Sequence, residues 1–396
     1  MFYIELIVLV YFTFVVGYGL VFSTSASLRA IKSGPIDEQY NKIAVLIPAY
    51  KEDSVIVDIA KEALNQNYPA VRFDIIVIAD SFQDHTLNKL YALPITTIKV
   101  AFENSTKVSS LNKALSILPE QYDIAVILDA DNLMERDFLL KINSTFNQGY
   151  KAIQGRRVAK NLNTSLAILD AISESINNHI LRKGATALGL SSSLNGSGMA
   201  FDYQLLKSTL SEMNCTGGFD RELELKLMEC GYKSVFIDNA LVYDEKVEKA
   251  EVFKNQRRRW ISSQFMYLKK YFFTGLKRSF HGDISYFNSA VMRNIQLPRM
   301  LNLGLLTIWV LVAVLLDKVI YDHIWIGLFC ANLLSISLAV PFTFYNKKTF
   351  IALVELPKVF FIMFFLLFRL KGANQTFIHT PHGDLEVVLE EHEEVL

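Results

Sequence analysis

Val126-Ile127-Leu128-Asp129-Ala130-Asp131 is a short apolar run that ends in two carboxylates two positions apart. On a buried parallel strand such a run supplies the core. The two aspartates then emerge where the strand stops, and ligands in open α/β sheets bind outside those carboxyl ends. Two carboxylates facing a cleft suit a hard divalent cation that also holds phosphate oxygens. A strand followed by a polar turn gives the same short pattern, so its meaning depends on the rest of the chain.

Outward from this stretch, strand-like and helix-like segments alternate. Ile43 to Ile47 is a buried-strand run closed by Pro48, and Ser54 to Asn65 has helical spacing. Asp74 to Asp80 is a second apolar strand ending in a carboxylate, and Thr96 to Val100 reads as a third. Ser109 to Leu118 is helical, and Ile124 to Asp131 is the fourth strand. This alternation predicts an α/β domain with a mainly parallel sheet. Further on, Leu166 to Leu188 has helical spacing, Leu223 to Met228 is a helix that stops at Gly231, and Val235 to Ile237 is a strand.

Composition adds a second theme. Of 396 residues, 51% are hydrophobic and only 20% charged, which directs attention to membrane segments. The net charge of zero gives no footprint for nucleic acid. The cysteines, Cys215, Cys230 and Cys330, lack metal-ligand spacing and form no disulfide framework. Phe2 to Phe22 carries Glu5 as its only charge and is long enough to span a bilayer. No basic residue precedes it, so it reads as an uncleaved anchor rather than a signal peptide. Arg29 and Lys32 behind it place the following chain in the cytoplasm by the positive-inside rule.

The expected organisation is therefore an N-terminal transmembrane helix over 1–23, a linker over 24–41 and a cytoplasmic α/β domain over 42–247. Basic amphipathic helices follow over 248–298, then a membrane region over 299–370 and a tail over 371–396. Leu301 to Leu316 and Ile324 to Phe344 read as spans. Phe350 to Leu370, interrupted by Glu355, Pro357 and Lys358, reads as an in-plane or re-entrant helix.

These residues together resemble the membrane-embedded processive family 2 glycosyltransferases, which include cellulose, chitin and hyaluronan synthases. The ordered motifs cover roughly residues 43 to 265. The resemblance implies a GT-A nucleotide-sugar transferase domain flanked by transmembrane helices. Pro48, Ala49, Tyr50 and Glu52 match the family's first-strand motif beside the nucleotide, with Lys51 where the family usually has Asn. Asp80 matches the aspartate that contacts the base. Lys107, with Ser110-Leu111-Asn112, matches a Lys-x-x-Ala-Leu-Asn element. Asp129 and Asp131 match the DxD motif that binds Mg²⁺ or Mn²⁺ and the diphosphate. Gly198, in Asn195-Gly196-Ser197-Gly198, matches the loop near the acceptor sugar. Asp220 matches the catalytic base, with Phe219 where an acidic residue is usual and Glu222 in reserve. Gln256, Arg259 and Trp260 match QxxRW, and Phe377 to His382 resembles the gating-loop motif.

The implied activity is inverting transfer of a sugar from a UDP-sugar donor to a growing polysaccharide. The cation would neutralise the leaving diphosphate, Arg259 would add a fixed positive charge, Asp220 would deprotonate the acceptor hydroxyl, and Trp260 would be a stacking floor. Other uses of the same residues stay open. Asp220 and Glu222 suit the first turn of any helix, Arg257 to Arg259 suit anionic headgroups, and Trp260 suits a membrane interface. Two other functions are open: single-sugar transfer to a lipid-linked acceptor, and a non-catalytic glycan-binding subunit. Expected partners are the donor, a carbohydrate or lipid-linked acceptor and membrane lipids, without nucleic acid. The expected location is the inner or plasma membrane.

Overall fold

The computed structural model describes residues 2–29, 34, 38–215, 217–316, 322–370 and 372–373. Lys32 and the segment Phe377 to His382 lie outside the described residues. The chain forms two compact units. One contains residues 1–30, 163–190 and 247–371, and the other residues 31–162, 191–246 and 372–396.

The second unit is built on one sheet. Its strands are β1 (Ile43–Tyr50), β2 (Phe73–Asp80), β3 (Thr96–Val100), β4 (Ile124–Ile127), β5 (Leu133–Met134), β6 (Ala152–Ala159), β7 (Met199–Asp202) and β8 (Val235–Asp244). They are ordered β3-β2-β1-β4-β7-β6-β8-β5. The β3-β2-β1-β4 half is parallel throughout. β7 then runs antiparallel to both β4 and β6, β6 and β8 are parallel, and β5 is antiparallel to β8.

The apolar runs read from the sequence become continuous because both faces of the sheet are covered. In β1, Ile43, Val45 and Ile47 join one core, while Ala44 and Leu46 join the other. β4 repeats this, with Ile124 and Val126 on the first side and Ala125 and Ile127 on the second. The strand period of two separates the sets. β4 ends at Ile127, so Leu128 to Asp131 is a turn and the aspartates lie beyond the ladder.

The expected mainly parallel sheet is present, with β7 and β5 as its antiparallel members. β6 and β7 were not predicted. β6 carries Gln154, Arg156 and Arg157, which breaks the apolar run by which a buried strand is recognised. β8 extends seven residues past the predicted Ile237, to Asp244.

In the other unit, an apolar helix spans Phe2–Leu28 and continues past the predicted end at residue 23. Tyr3–Leu28 is the one described helix long and apolar enough by itself to cross a membrane. Glu5 on this helix is buried and accepts a hydrogen bond from the Trp325 indole at 3.4 Å. Helices follow at Ser165–Asn177, Ala250–Phe280, Arg299–Leu316, Asp322–Ala339, Lys347–Leu353 and Leu356–Leu366. The predicted span to Phe344 ends early: its helix stops at Ala339, and a 3₁₀ turn over Phe342–Phe344 follows Pro341. The Phe350 to Leu370 stretch falls in a helix pair bent by 44° that is long and apolar enough to cross a membrane only when its two parts are taken together. Leu166 to Leu188 is helical as predicted, with a π-helical segment at Asn178–Gly184.

Candidate active site

The site gathers at the C-terminal ends of the parallel strands. β1 and β2 end side by side, with Tyr50 opposite Asp80. Lys51 and Ser81, the next residues, are the described non-glycine residues with positive φ, at 55° and 60°. Few non-glycine residues adopt this conformation, and it concentrates at ligand-binding turns. The Lys51 N–H donates to the Asp80 carbonyl oxygen at 3.1 Å, tying the turns together. Asp80 is 1% exposed. Its Oδ1 accepts from the Ser81 hydroxyl at 3.0 Å, while Oδ2 is buried without a hydrogen-bond partner. A buried orphan carboxylate oxygen is costly, and a donor N–H on a ligand base would satisfy it. Pro48 and Ala49 lie within β1, and Glu52 is buried just past its end.

Beyond β4, Asp129 is surrounded by cations and donors. Lys107, from the first turn of the helix Lys107–Ile117, is ion-paired with Asp129 Oδ1 and donates to the Gly196 carbonyl oxygen at 2.7 Å. Arg157 on β6 lies 3.9 Å from Asp129 Oδ2 and 3.7 Å from Asp244 Oδ1. The Asp129 N–H donates to the Ser197 hydroxyl at 2.9 Å, and that hydroxyl donates to Asn132 Oδ1. Asn132 Nδ2 then donates to both Asp131 and Asp244 at 3.2 Å. Asp131 Oδ2 accepts from the Glu245 N–H at 3.3 Å, and Lys160 donates to the Asp131 carbonyl oxygen. Lys246 pairs with Asp244 at 2.7 Å. Burial lowers the Lys160 pKa, and the charges of Asp131, Asp244 and Glu245 oppose that shift.

The loop before β7 and the helix that begins at Phe219 reach the same place. Gly196 and Gly198 adopt φ of 87° and 61° before β7. A Cβ on Gly196 would lie 3.8 Å from the Phe219 ring, and Lys107 sits 5.3 Å above the same ring. Phe219 opens the helix Phe219–Glu229 after the left-handed Gly218, so Asp220 stands in its first turn, next in sequence to the ring that Lys107 covers. Burial raises the Asp220 carboxyl above its ordinary value. Arg221 pulls it down through its charge and a backbone hydrogen bond, and Glu224 pushes it up. Glu222 is buried in the same turn.

Asp129 and Asp131 offer hard oxygen donors, while no group of three His, Cys, Asp or Glu able to hold a metal occurs among the described residues. That donor set fits a Mg²⁺-like ion held by one or two carboxylates and completed by phosphate oxygens, rather than an all-protein cage.

Gln256, Arg259 and Trp260 belong to the other unit, on the helix Ala250–Phe280, where their spacing of three and four puts them on one face. Gln256 Oε1 is buried without a hydrogen-bond partner. Burial lowers the Arg259 pKa. Trp260 is 39% exposed, and the Arg257 guanidinium stacks on its ring at 4.4 Å. Arg257 does not face solvent headgroups. It is buried, ion-paired with Asp170, and packed against Phe253 at 4.8 Å.

Sequence reasoning missed Arg157, Lys160, Asp244 and Lys246. Val242-Tyr243-Asp244 carried a usable signal, since it is again an apolar strand ending in a carboxylate. Asn195, the first residue of the quoted glycine loop, has both side-chain amide atoms buried without partners, while its N–H donates to Gln154 at 3.0 Å.

An α/β sheet with a DxD turn, a base candidate and a basic surround at the strand ends defines a nucleotide-sugar-transferase type of site. The chain belongs to the glycosyltransferase-like family 2, whose model matches residues 41–263. It is 25% identical over 259 residues to the probable glycosyltransferase YdaM of Bacillus subtilis, covering 62% of this chain and 61% of the relative. It is 27% identical over 225 residues to the beta-monoglucosyldiacylglycerol synthase of Nostoc sp., covering 55% of this chain and 48% of the relative. The chain thus spans about half to three-fifths of the length of these curated relatives. Among solved structures, the mannosyltransferase PcManGT from Pyrobaculum calidifontis, in complex with GDP-Man and Mn²⁺, aligns with a TM-score of 0.50 at 15% identity. That alignment covers 91% of this chain and 95% of the other. The likeness shows a GT-A-like α/β fold.

Proposed function

We propose that this chain is a membrane-bound, metal-assisted inverting glycosyltransferase that moves one sugar from a UDP-sugar to a lipid-linked acceptor. The observation that carries the reading is the pair Asp129 and Asp131 beyond the end of β4, with Lys107 and Arg157 reaching Asp129. A diphosphate needs this combination of metal-holding carboxylates and phosphate-binding cations.

Asp131, with Asp129, would hold Mg²⁺ or Mn²⁺, which when bound neutralises charge on the leaving diphosphate. The chain's own residues divide the remaining work. Asp80 Oδ2 accepts from the base, and the β1 end from Pro48 to Glu52 forms the floor beneath it. Lys107 and Arg157 exchange their carboxylate partners for phosphate oxygens. Asp220 accepts the acceptor hydroxyl's proton as the hydroxyl oxygen bonds to the anomeric carbon and the diphosphate leaves. One displacement of this kind inverts that carbon. Gln256, Arg259 and Trp260 are assigned to the diphosphate and the acceptor sugar.

Single-sugar transfer is favoured over polymer extension because a curated relative is named for making a glucosylated diacylglycerol. The apolar helix Tyr3–Leu28 suits an acceptor held in a membrane. A cytoplasmic catalytic domain on an integral membrane protein completes the reading.

The test is labelled UDP-sugar supplied to full-length protein in membranes, with diacylglycerol or oligosaccharide acceptors, with and without Mn²⁺. A lipid carrying one sugar is the expected product, and an extended product series would favour the polysaccharide reading. Absence of metal-dependent nucleotide release with every donor would leave a binding subunit. Asp131→Ala is expected to lose the metal-dependent part of UDP binding.

A further inference from the structure

We propose that the unit carrying the long basic helix has a second anion site, a cavity that takes a phosphate-bearing group. The cavity has a volume of ≈ 480 Å³ and is lined by Lys254, Asn255, Arg258, Leu366 and Arg369. All of these belong to one unit. Among the described residues, three of the five lining side chains are cationic and none is acidic.

The local sequence explains the gathering. Lys254 and Arg258 stand four apart on the helix Ala250–Phe280 and share a face. Arg369 closes the 3₁₀ turn Leu367–Arg369 that follows the helix Leu356–Leu366. Arg258 Nε donates to the Arg369 carbonyl oxygen at 2.5 Å, which holds the two walls together. The acidic residue nearest in sequence, Glu251, lies 3.7 Å from Lys254 and is 79% exposed, so solvent weakens its claim on the ammonium. A phosphate entering the cavity would offer several acceptor oxygens to these N–H donors.

The surroundings favour a lipid as the carrier of the phosphate. Phe361, Phe365 and Phe368 are 56%, 61% and 74% exposed, at helical spacing on the segment that supplies Leu366 and Arg369. Exposed rings beside a cationic cavity suit a bilayer interface with acidic headgroups. Inorganic phosphate offers the same anion chemistry without the apolar part.

The experiment uses the full chain in mixed micelles and follows thermal stabilisation as a binding signal, independent of any sugar transfer. Phosphatidylglycerol, phosphatidylcholine and inorganic phosphate are titrated separately. The parent is expected to bind phosphatidylglycerol well above phosphatidylcholine. Arg369→Gln and Lys254→Gln should each weaken that binding about fivefold. Lys358→Gln, which removes a cation paired with Glu355 at 3.1 Å and outside the cavity, should leave it unchanged. Displacement of the lipid by inorganic phosphate assigns the site to a soluble anion, and failure to displace it assigns the site to a headgroup; both uphold the cavity. Binding of neither anion by the parent overturns the proposal. So does equal weakening by Lys358→Gln, since the effect would then be diffuse charge.

Discussion

Lys107 is ion-paired with Asp129, and its second hydrogen bond, at 2.7 Å, goes to the carbonyl oxygen of Gly196. One ammonium thus joins the turn after β4 to the loop before β7. It also holds a carboxylate that a divalent cation would use. Lys107→Met should therefore tighten binding of Mn²⁺ in the absence of nucleotide, because Asp129 loses its competing cation. The same variant should weaken UDP binding about tenfold or more, the usual size of a lost charge-assisted hydrogen bond. Calorimetric titrations with Mn²⁺ alone and with UDP check both signs, and parallel weakening of the two would reject the exchange of partners.

Asp220 carries opposing demands. Its carboxyl is pushed up by burial, so the folded protein favours the protonated form. A general base works only when ionised. The acid limb of the pH–rate profile should therefore lie above the ordinary aspartate range, with activity falling as pH drops through the raised value. The stability sign is opposite. An acid with a raised folded-state pKa weakens the fold above that pKa and ceases to do so as it protonates. Asp220→Asn should abolish transfer while leaving Tm at neutral pH unchanged or higher. A variant with normal turnover would shift attention to Glu222.

At Gly198 the backbone is left-handed, with φ of 61°, and a Cβ would sit 3.2 Å from Val242 Cγ2. Gly198→Ala should cost about 1–2 kcal/mol from backbone strain alone. Chemical denaturation reads this loss, and an unchanged midpoint would show that the loop relaxes freely.

Arg257 and Asp170 form a buried pair, with side chains 11% and 9% exposed. Removing one partner leaves the other charge buried. Arg257→Ala should therefore destabilise the protein by about 3–5 kcal/mol. The double change Arg257→Met with Asp170→Leu should recover most of that loss. Thermal unfolding of the single and double variants in detergent tests the coupling, and additive losses would contradict it.

The sequence made some of this legible through local pattern. β1, β2 and β4 were readable because each is apolar on both faces, a direct result of cores on both sides of the sheet. Asp80, Asp129 and Asp131 were readable because they end such runs. β6 was not, since Gln154 is fully buried yet polar. It donates to the carbonyl oxygen of the adjacent Gly155 at 2.9 Å and to those of Ser197 and Gly198 at 3.0 and 3.2 Å, the last two supplied by distant chain. Arg257 was misread for a similar reason. Its partner Asp170 is 87 residues away, and a run of arginines gives no sign of which one turns inward.

The antiparallel entry of β7 beside β4 has a consequence for remodelling this scaffold. The turn at Asp129 to Asn132 and the loop at Asn195 to Gly198 meet at one end of adjacent strands, and the Ser197 hydroxyl bonds to both Asp129 and Asn132. Under the proposed assignments, donor chemistry and acceptor choice are mechanically linked across two strands. Grafting a foreign loop over Asn195 to Gly198 alone would disturb the turn at Asp129 to Asn132. The two segments form one interchangeable cassette, to be moved between relatives together.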